Sequence, residues 1–174
     1  HPERLEFIEQ ALRNTDERVA EGRPVTPMFL VGVFLWGPMT HDVRRLQEAE
    51  GYTELQAGNI ASDSLVQRTN DIVFMPKRFS YPMREMLQLQ PKFNRTKGKR
   101  AMSMLGHPRF RAAYDLMLLR QILGEVDAKT ADWWTEIQTK PEAEQARAFG
   151  AAKAAKEDAE NAARRRPRRR RRKT

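Results

Sequence analysis

His107-Pro108-Arg109-Phe110-Arg111-Ala112-Ala113-Tyr114-Asp115-Leu116-Met117-Leu118-Leu119-Arg120-Gln121-Ile122-Leu123-Gly124 reads as a helix with both ends marked. Proline is preorganised for a first helical turn and glycine for the residue past the last one, so Pro108 and Gly124 bracket the segment. Between them Phe110, Ala113, Tyr114, Met117, Leu118 and Ile122 recur every three or four residues and form one apolar stripe, with Arg109, Arg111 and Arg120 on its flanks. A segment of this kind packs through one face and shows cations on another.

Upstream, the same punctuation continues. Pro76, Pro82, Pro91 and Pro108 each predict a helix start or the residue just past a helix end, which implies four short helices in succession. In the one after Thr96, Met102 and Leu105 share a side, while Lys97 and Arg100 lie about one turn apart on another. Further back, residues 3–21 place Leu5, Ile8, Leu12 and Val19 at helical spacing, with Gly22 and Pro24 as the stop. Thr26-Pro27 caps a run from Met28 to Trp36 with almost no polar face, a helix expected to be covered on all sides and broken at Gly37-Pro38. Helix resumes over Thr40–Glu50, and Thr53–Phe74 reads as one more.

Downstream, Trp133-Trp134 and Ile137 follow Asp127 in a short helix whose aromatic pair points to core packing. Ala148–Ala163 is rich in helix formers but has no apolar stripe, and Arg164–Lys173 is nine cations and one proline, which cannot collapse. No alternating β-branched run and no Asn-Gly or Asp-Gly hairpin signal occurs. The expected fold is all-α: an irregular multi-helix array with a disordered basic C-terminal tail. Residues 1–140 form the helical domain, and residues 141–174 an Ala-rich linker and the tail.

The charge is placed rather than spread. The block over 75–120 holds 11 Lys or Arg against Glu85 and Asp115, a net of +9, and the last eleven residues add +9. Residues 1–74 carry −5 and residues 121–163 carry −4. Two positive regions on an otherwise acidic chain point to a polyanion: nucleic acid first, an anionic membrane surface second. The longest apolar run, nine residues from Met28 to Trp36, is about half of what a membrane span requires, so no membrane partner is expected. The Glu-rich first ten residues lack a secretion signal, and the absence of Cys permits a reducing, cytoplasmic setting. With His1 at its start, the sequence reads as a fragment of something longer.

Nothing in the sequence forms a recognisable active site. His1, His41 and His107 have no partners at metal-ligand spacing, and His107, between Gly106 and Pro108, suits a cap or turn. Lys97-Gly98-Lys99-Arg100 lacks the upstream glycine and the hydroxyl residue of a phosphate loop. Phe79, Phe93, Phe110 and Tyr114 are the aromatic residues available for stacking on bases, but Phe110 and Tyr114 share the apolar stripe and are expected in the core.

Leu89-Gln90, Lys97-Gly98-Lys99-Arg100-Ala101, the run from Leu105 to Leu116 and Leu119-Arg120, with Pro76-Lys77-Arg78 upstream and Trp133-Trp134 downstream, closely resemble the C-terminal part of the bacterial poly(A) polymerases. Ala11 to Arg18 and Pro24 to Leu30 are similar to that family as well, so the resemblance runs in order through most of residues 3–138. It implies a template-independent nucleotidyltransferase that adds adenylates to RNA 3′ ends, with ATP and magnesium as cofactors of the parent enzyme. The family's catalytic head carries Gly-Ser followed by Asp-x-Asp, and neither occurs here. The resemblance therefore implies the helical body and leg that hold RNA, inactive alone, with no catalytic residue, no metal ligand and no cofactor bound by this chain. It assigns RNA contacts to Lys77, Arg78, Arg95, Lys97, Lys99, Arg100, Arg109 and Arg111, and to tail residues Arg164, Arg165, Arg166, Arg168, Arg169, Arg170, Arg171 and Arg172. Phosphate contacts of this kind are sequence-tolerant. The alternative partner is an acidic protein of the RNA-decay machinery, docked on the basic block of a non-enzymatic scaffold.

Overall fold

The computed structural model describes residues 2–150, where eight α-helices and two short 3-10 turns follow one another and no strand occurs. They are α1 (Pro2–Ala20), α2 (Pro27–Glu50), α3 (Glu54–Ile72), α4 (Lys77–Leu89), α5 (Lys99–Met102), α6 (Phe110–Leu119), α7 (Ala128–Ile137) and α8 (Glu142–Ala148). The 3-10 turns, Gln90–Asn94 and Ser103–Gly106, lie on either side of α5. The all-α reading holds. Most of the expected linker and the whole arginine-rich tail lie outside the described residues.

The longest helix departs from its expected form. α2 runs unbroken through Gly37-Pro38, although an interior proline deletes one helical N–H and crowds the carbonyl one turn back. Buried anchors on both sides of the proline hold the helix straight through it: Val33 and Trp36 before, Met39, Asp42 and Leu46 after. The Thr40 hydroxyl donates to the Gly37 carbonyl (2.9 Å) within the same turn. Nor is α2 covered all round: Met28, Gly32, Val33, Trp36 and Met39 are buried, while Phe34 stays half exposed to solvent. At Gly32 the α4 side chains Met83 and Met86 pack onto the helix, and a Cβ there would overlap the Met86 Cε.

Phasing errors elsewhere share one cause: contacts from non-local elements choose the buried face. In α1 the buried side is Phe7 and Ala11, while Leu5 and Val19, two of the four apolar residues at helical spacing, are about 60% exposed. In the short helical stretch around α5 the buried residues are Ala101 and Met104, with Met102 and Leu105 only half-buried. Pro82 lies inside α4 rather than at an end, and α6 stops at Leu119, with Gly124 closing a turn beyond it. Thr53 forms a capping box with Gln56 at the start of α3, and Asp127 caps α7 by accepting from the Thr130 N–H (2.7 Å).

Two buried assemblies close the molecule. One is aromatic: Trp134 meets Phe93 edge-on (5.1 Å between ring centres), Phe149 packs on Trp133 (5.0 Å), and the Trp134 indole donates to the Phe93 carbonyl (2.9 Å). Packing therefore runs beyond position 140, as Phe149 is fully buried. The other is polar. Arg120, read as a flanking surface cation, is 6% exposed. Its guanidinium donates to Glu125 (3.1 Å) and to Gln90 (3.3 Å) and stacks 4.7 Å from the Trp36 ring centre. The Trp36 indole donates to the same Glu125 oxygen (2.9 Å), and the Gln90 amide donates to the carbonyls of Met86 and Ala113. This network ties α2, α4, α6 and the turn after α6 together.

Arg120→Met leaves Glu125 with the Trp36 indole as its remaining partner and strips the buried Gln90 Oε1 of its donor, so it is expected to cost about 2 kcal/mol in chemical denaturation of the chain. The double change Arg120→Met with Glu125→Gln is expected to cost less than the single one, because no carboxylate is then stranded. Equal or additive losses would contradict the network.

Candidate nucleic-acid interface

The cations of the basic block divide into those the fold uses and those it leaves without an acidic partner. Arg109 pairs with Glu85 on α4 (3.2 Å), and Arg111 with Asp115 one turn along α6 (3.2 Å). Lys97 donates to the Ala148 carbonyl at the end of α8 (3.0 Å), next to the bond from the Gly98 N–H to Phe149 O (2.7 Å). These three serve partly as fasteners. Among the described residues, Lys77, Arg78, Lys92, Arg95, Lys99 and Arg100 form no ion pair, and all six are exposed.

Two places collect them. At the start of α4, Lys77 lies over the Tyr81 ring (5.9 Å), Arg84 over the same ring (5.1 Å), and Arg78 over Phe79 (4.9 Å). The spacing of Lys77, Tyr81, Arg84 and Gln88 puts them on one helix face, where Arg84 and Gln88 both reach Asp63 of α3 (3.3 and 3.2 Å). Immediately before α4, Ile72, Val73 and Phe74 stand exposed.

The second place surrounds the turn into α5. Gly98 takes φ +87°, a conformation that L side chains rarely adopt, so the turn between Lys97 and Lys99 depends on glycine. Beside it opens a cavity of about 410 Å³. Leu89, Ala101 and Met104 form its buried side, and Lys92, Arg95, Arg100 and His107 reach it from the more exposed one. One carboxylate is also present: Glu54 accepts both bonds from the Asn94 amide (3.0 Å each). His107 is the turn residue its position suggests, its Nδ1 accepting from the Arg109 N–H (3.0 Å). In the neutral ring that bond places the proton on Nε2.

Of the eight folded-part candidates, the structure brings Arg95 and Arg100 to one cavity, sets Lys77 and Arg78 together at α4, leaves Lys99 exposed beside the first pair, and ties Lys97, Arg109 and Arg111 to neighbours. Arg164 to Arg172 lie outside the described residues. Sequence reasoning missed Lys92 and Tyr81; the spacing of Lys92 three before Arg95 was the available signal for the first. Among the aromatic candidates, Phe93, Phe110 and Tyr114 are core residues, and Phe79 is half-buried under Arg78. No helix among the described residues is long and apolar enough to cross a membrane.

Fold and surface together define a helical module with unpaired cations concentrated on the elements between α4 and α6. The family model described as "Polymerase A arginine-rich C-terminus" matches residues 50–173, and the chain belongs to that family. It is 35% identical over 137 residues to poly(A) polymerase I of Escherichia coli O6:H1, a match covering 76% of this chain and 29% of that protein. The Salmonella typhi poly(A) polymerase I is 33% identical over 141 residues (80% of this chain, 30% of that protein), and the Haemophilus influenzae protein 32% over 133 (76% and 29%). The chain thus spans under a third of the length of these relatives.

Burial raises the Asp115 carboxyl above its ordinary pKa, and the Arg111 guanidinium only partly offsets this. A carboxyl that holds its proton more tightly folded than unfolded contributes stability at low pH and loses it as pH rises past the unfolded value. Asp115→Asn is accordingly expected to raise the melting temperature at pH 7 and to change it little at pH 3. The opposite order would contradict the assignment.

Proposed function

We propose that this chain is the RNA-holding C-terminal region of a poly(A) polymerase, a cytoplasmic enzyme that extends RNA 3′ ends with adenylates from ATP. The observation that carries the proposal is the exposed set Lys77, Arg78, Lys92, Arg95, Lys99 and Arg100, none of which forms an ion pair among the described residues, on a chain of this family. Fixed cations that meet phosphates release counterions and bind without regard to base order, which suits an enzyme that must accept many RNA ends. The arginine-rich stretch 164–173 would add a second, sequence-tolerant contact.

Magnesium and ATP belong, in this reading, to a catalytic part of the longer polypeptide. The donor set here does not fit a metal site: among the described residues no three His, Cys, Asp or Glu side chains come together, and the sequence has neither Gly-Ser nor Asp-x-Asp. No chemical step is assigned to these residues, and the chain alone is expected not to extend RNA.

Binding of the full chain to a short single-stranded RNA should fall steeply with salt, with a log-log slope near −0.7 for each phosphate contact. Changing Arg95, Lys99 and Arg100 together to Ala should flatten that slope by about 2, while Arg109→Ala with Arg111→Ala should flatten it less. Salt-independent binding, no binding, or a slope unmoved by the triple change would contradict the proposal.

A second reading is favoured by the exposed Ile72, Val73 and Phe74 beside Lys77 and Arg78, which suit an acidic protein of the RNA-decay machinery with an apolar contact of its own. Capture of such a partner that survives nuclease treatment would favour it.

A further inference from the structure

The cavity beside α5 has a composition that a phosphate-gripping surface does not require. A backbone-only contact needs cations on an exposed face, yet Arg95 and Arg100 stand at the mouth of a recess whose inner wall is apolar. Leu89, Ala101 and Met104 are buried there, and Leu55 and Pro91 complete the wall from α3 and the first 3-10 turn. Its volume, about 410 Å³, falls within the range of about 300–1,000 Å³ typical of small-molecule sites. Polar groups of both kinds border it. The Glu54 carboxylate is an acceptor, and the His107 ring, whose Nδ1 accepts from the Arg109 N–H, has an N–H donor at Nε2.

An apolar slot with donor and acceptor groups at its border and guanidinium groups at its mouth matches a flat heterocycle joined to a phosphate. We propose that this cavity seats one nucleotide unit of single-stranded RNA, its base against Leu55, Leu89 and Met104 and its phosphate between Arg95 and Arg100. Lys92 adds a third cation at the same mouth. The inference rests on the RNA reading above and extends it: the folded module holds a base as well as the backbone. Among the described residues Glu54 is the one carboxylate lining the cavity, and both its oxygens accept from the Asn94 amide.

The test compares the unmodified full chain on oligoadenylate, oligouridylate and an abasic ribose-phosphate strand of the same length, at one salt concentration. A seated base predicts that at least one base-bearing strand binds about tenfold more tightly than the abasic strand. Leu55→Gln, at a partly exposed position, is expected to remove that advantage and leave abasic binding unchanged. Equal binding of all three strands would overturn the pocket while leaving the RNA reading intact, and no binding to any strand would overturn both. A Leu55→Gln change that weakens every strand equally would also overturn the pocket. Adenosine monophosphate, in tenfold excess over RNA, distinguishes a free nucleotide from a unit of the strand: the proposal predicts no displacement of RNA, and displacement would overturn it.

Discussion

The Arg120 guanidinium is the point on which the array closes. The eight helices of the described residues, several under three turns long, offer few extended apolar faces, so their mutual placement needs directional contacts as well as burial. Arg120 supplies them from one buried planar group: two hydrogen-bond partners, Glu125 and Gln90, and a stacked ring, Trp36. Gln90 then fixes Met86 and Ala113 by their carbonyls, at the point where α4 passes into its 3-10 turn. Buried charge of this kind is costly to strand, which makes the arrangement selective for one register of α4 against α6.

That register sets one of the block's two ion pairs. With α4 and α6 locked, Glu85 lies beside Arg109, while Asp115 meets Arg111 one turn along α6 itself. The two acids of the block are thereby consumed at its C-terminal side. Among the described residues Lys92, Arg95, Lys99 and Arg100, on the turns before and within α5, form no ion pair, and the Glu54 carboxylate beside them is taken by the Asn94 amide. The positive surface is a consequence of where the acids go as much as of where the bases are.

The helical class and most helix ends were legible, because prolines and glycines act locally: Gly22 closes α1 and Pro27 opens α2, although the Thr26 side chain before it makes no capping bond. Pro38 was not, since continuity there is held by Trp36 and Met39 through contacts with distant helices. Face selection in α1 failed for the same reason, Phe7 and Ala11 being chosen by what packs against them. For the site, composition located the block and family resemblance supplied the partner class. Neither could separate Arg120, buried in a network, from Arg100, at a cavity mouth, because both look alike in a one-dimensional charge count.

In the proposed function the folded cations between α4 and α6, and not charge in general, hold the RNA. Amide hydrogen exchange of the full chain with and without a short single-stranded RNA tests it most directly. Slowed exchange over residues 75–81 and 90–104, with α1 unaffected, is the expected result. Protection confined to residues beyond 163, or protection of α1 in place of the block, would contradict it.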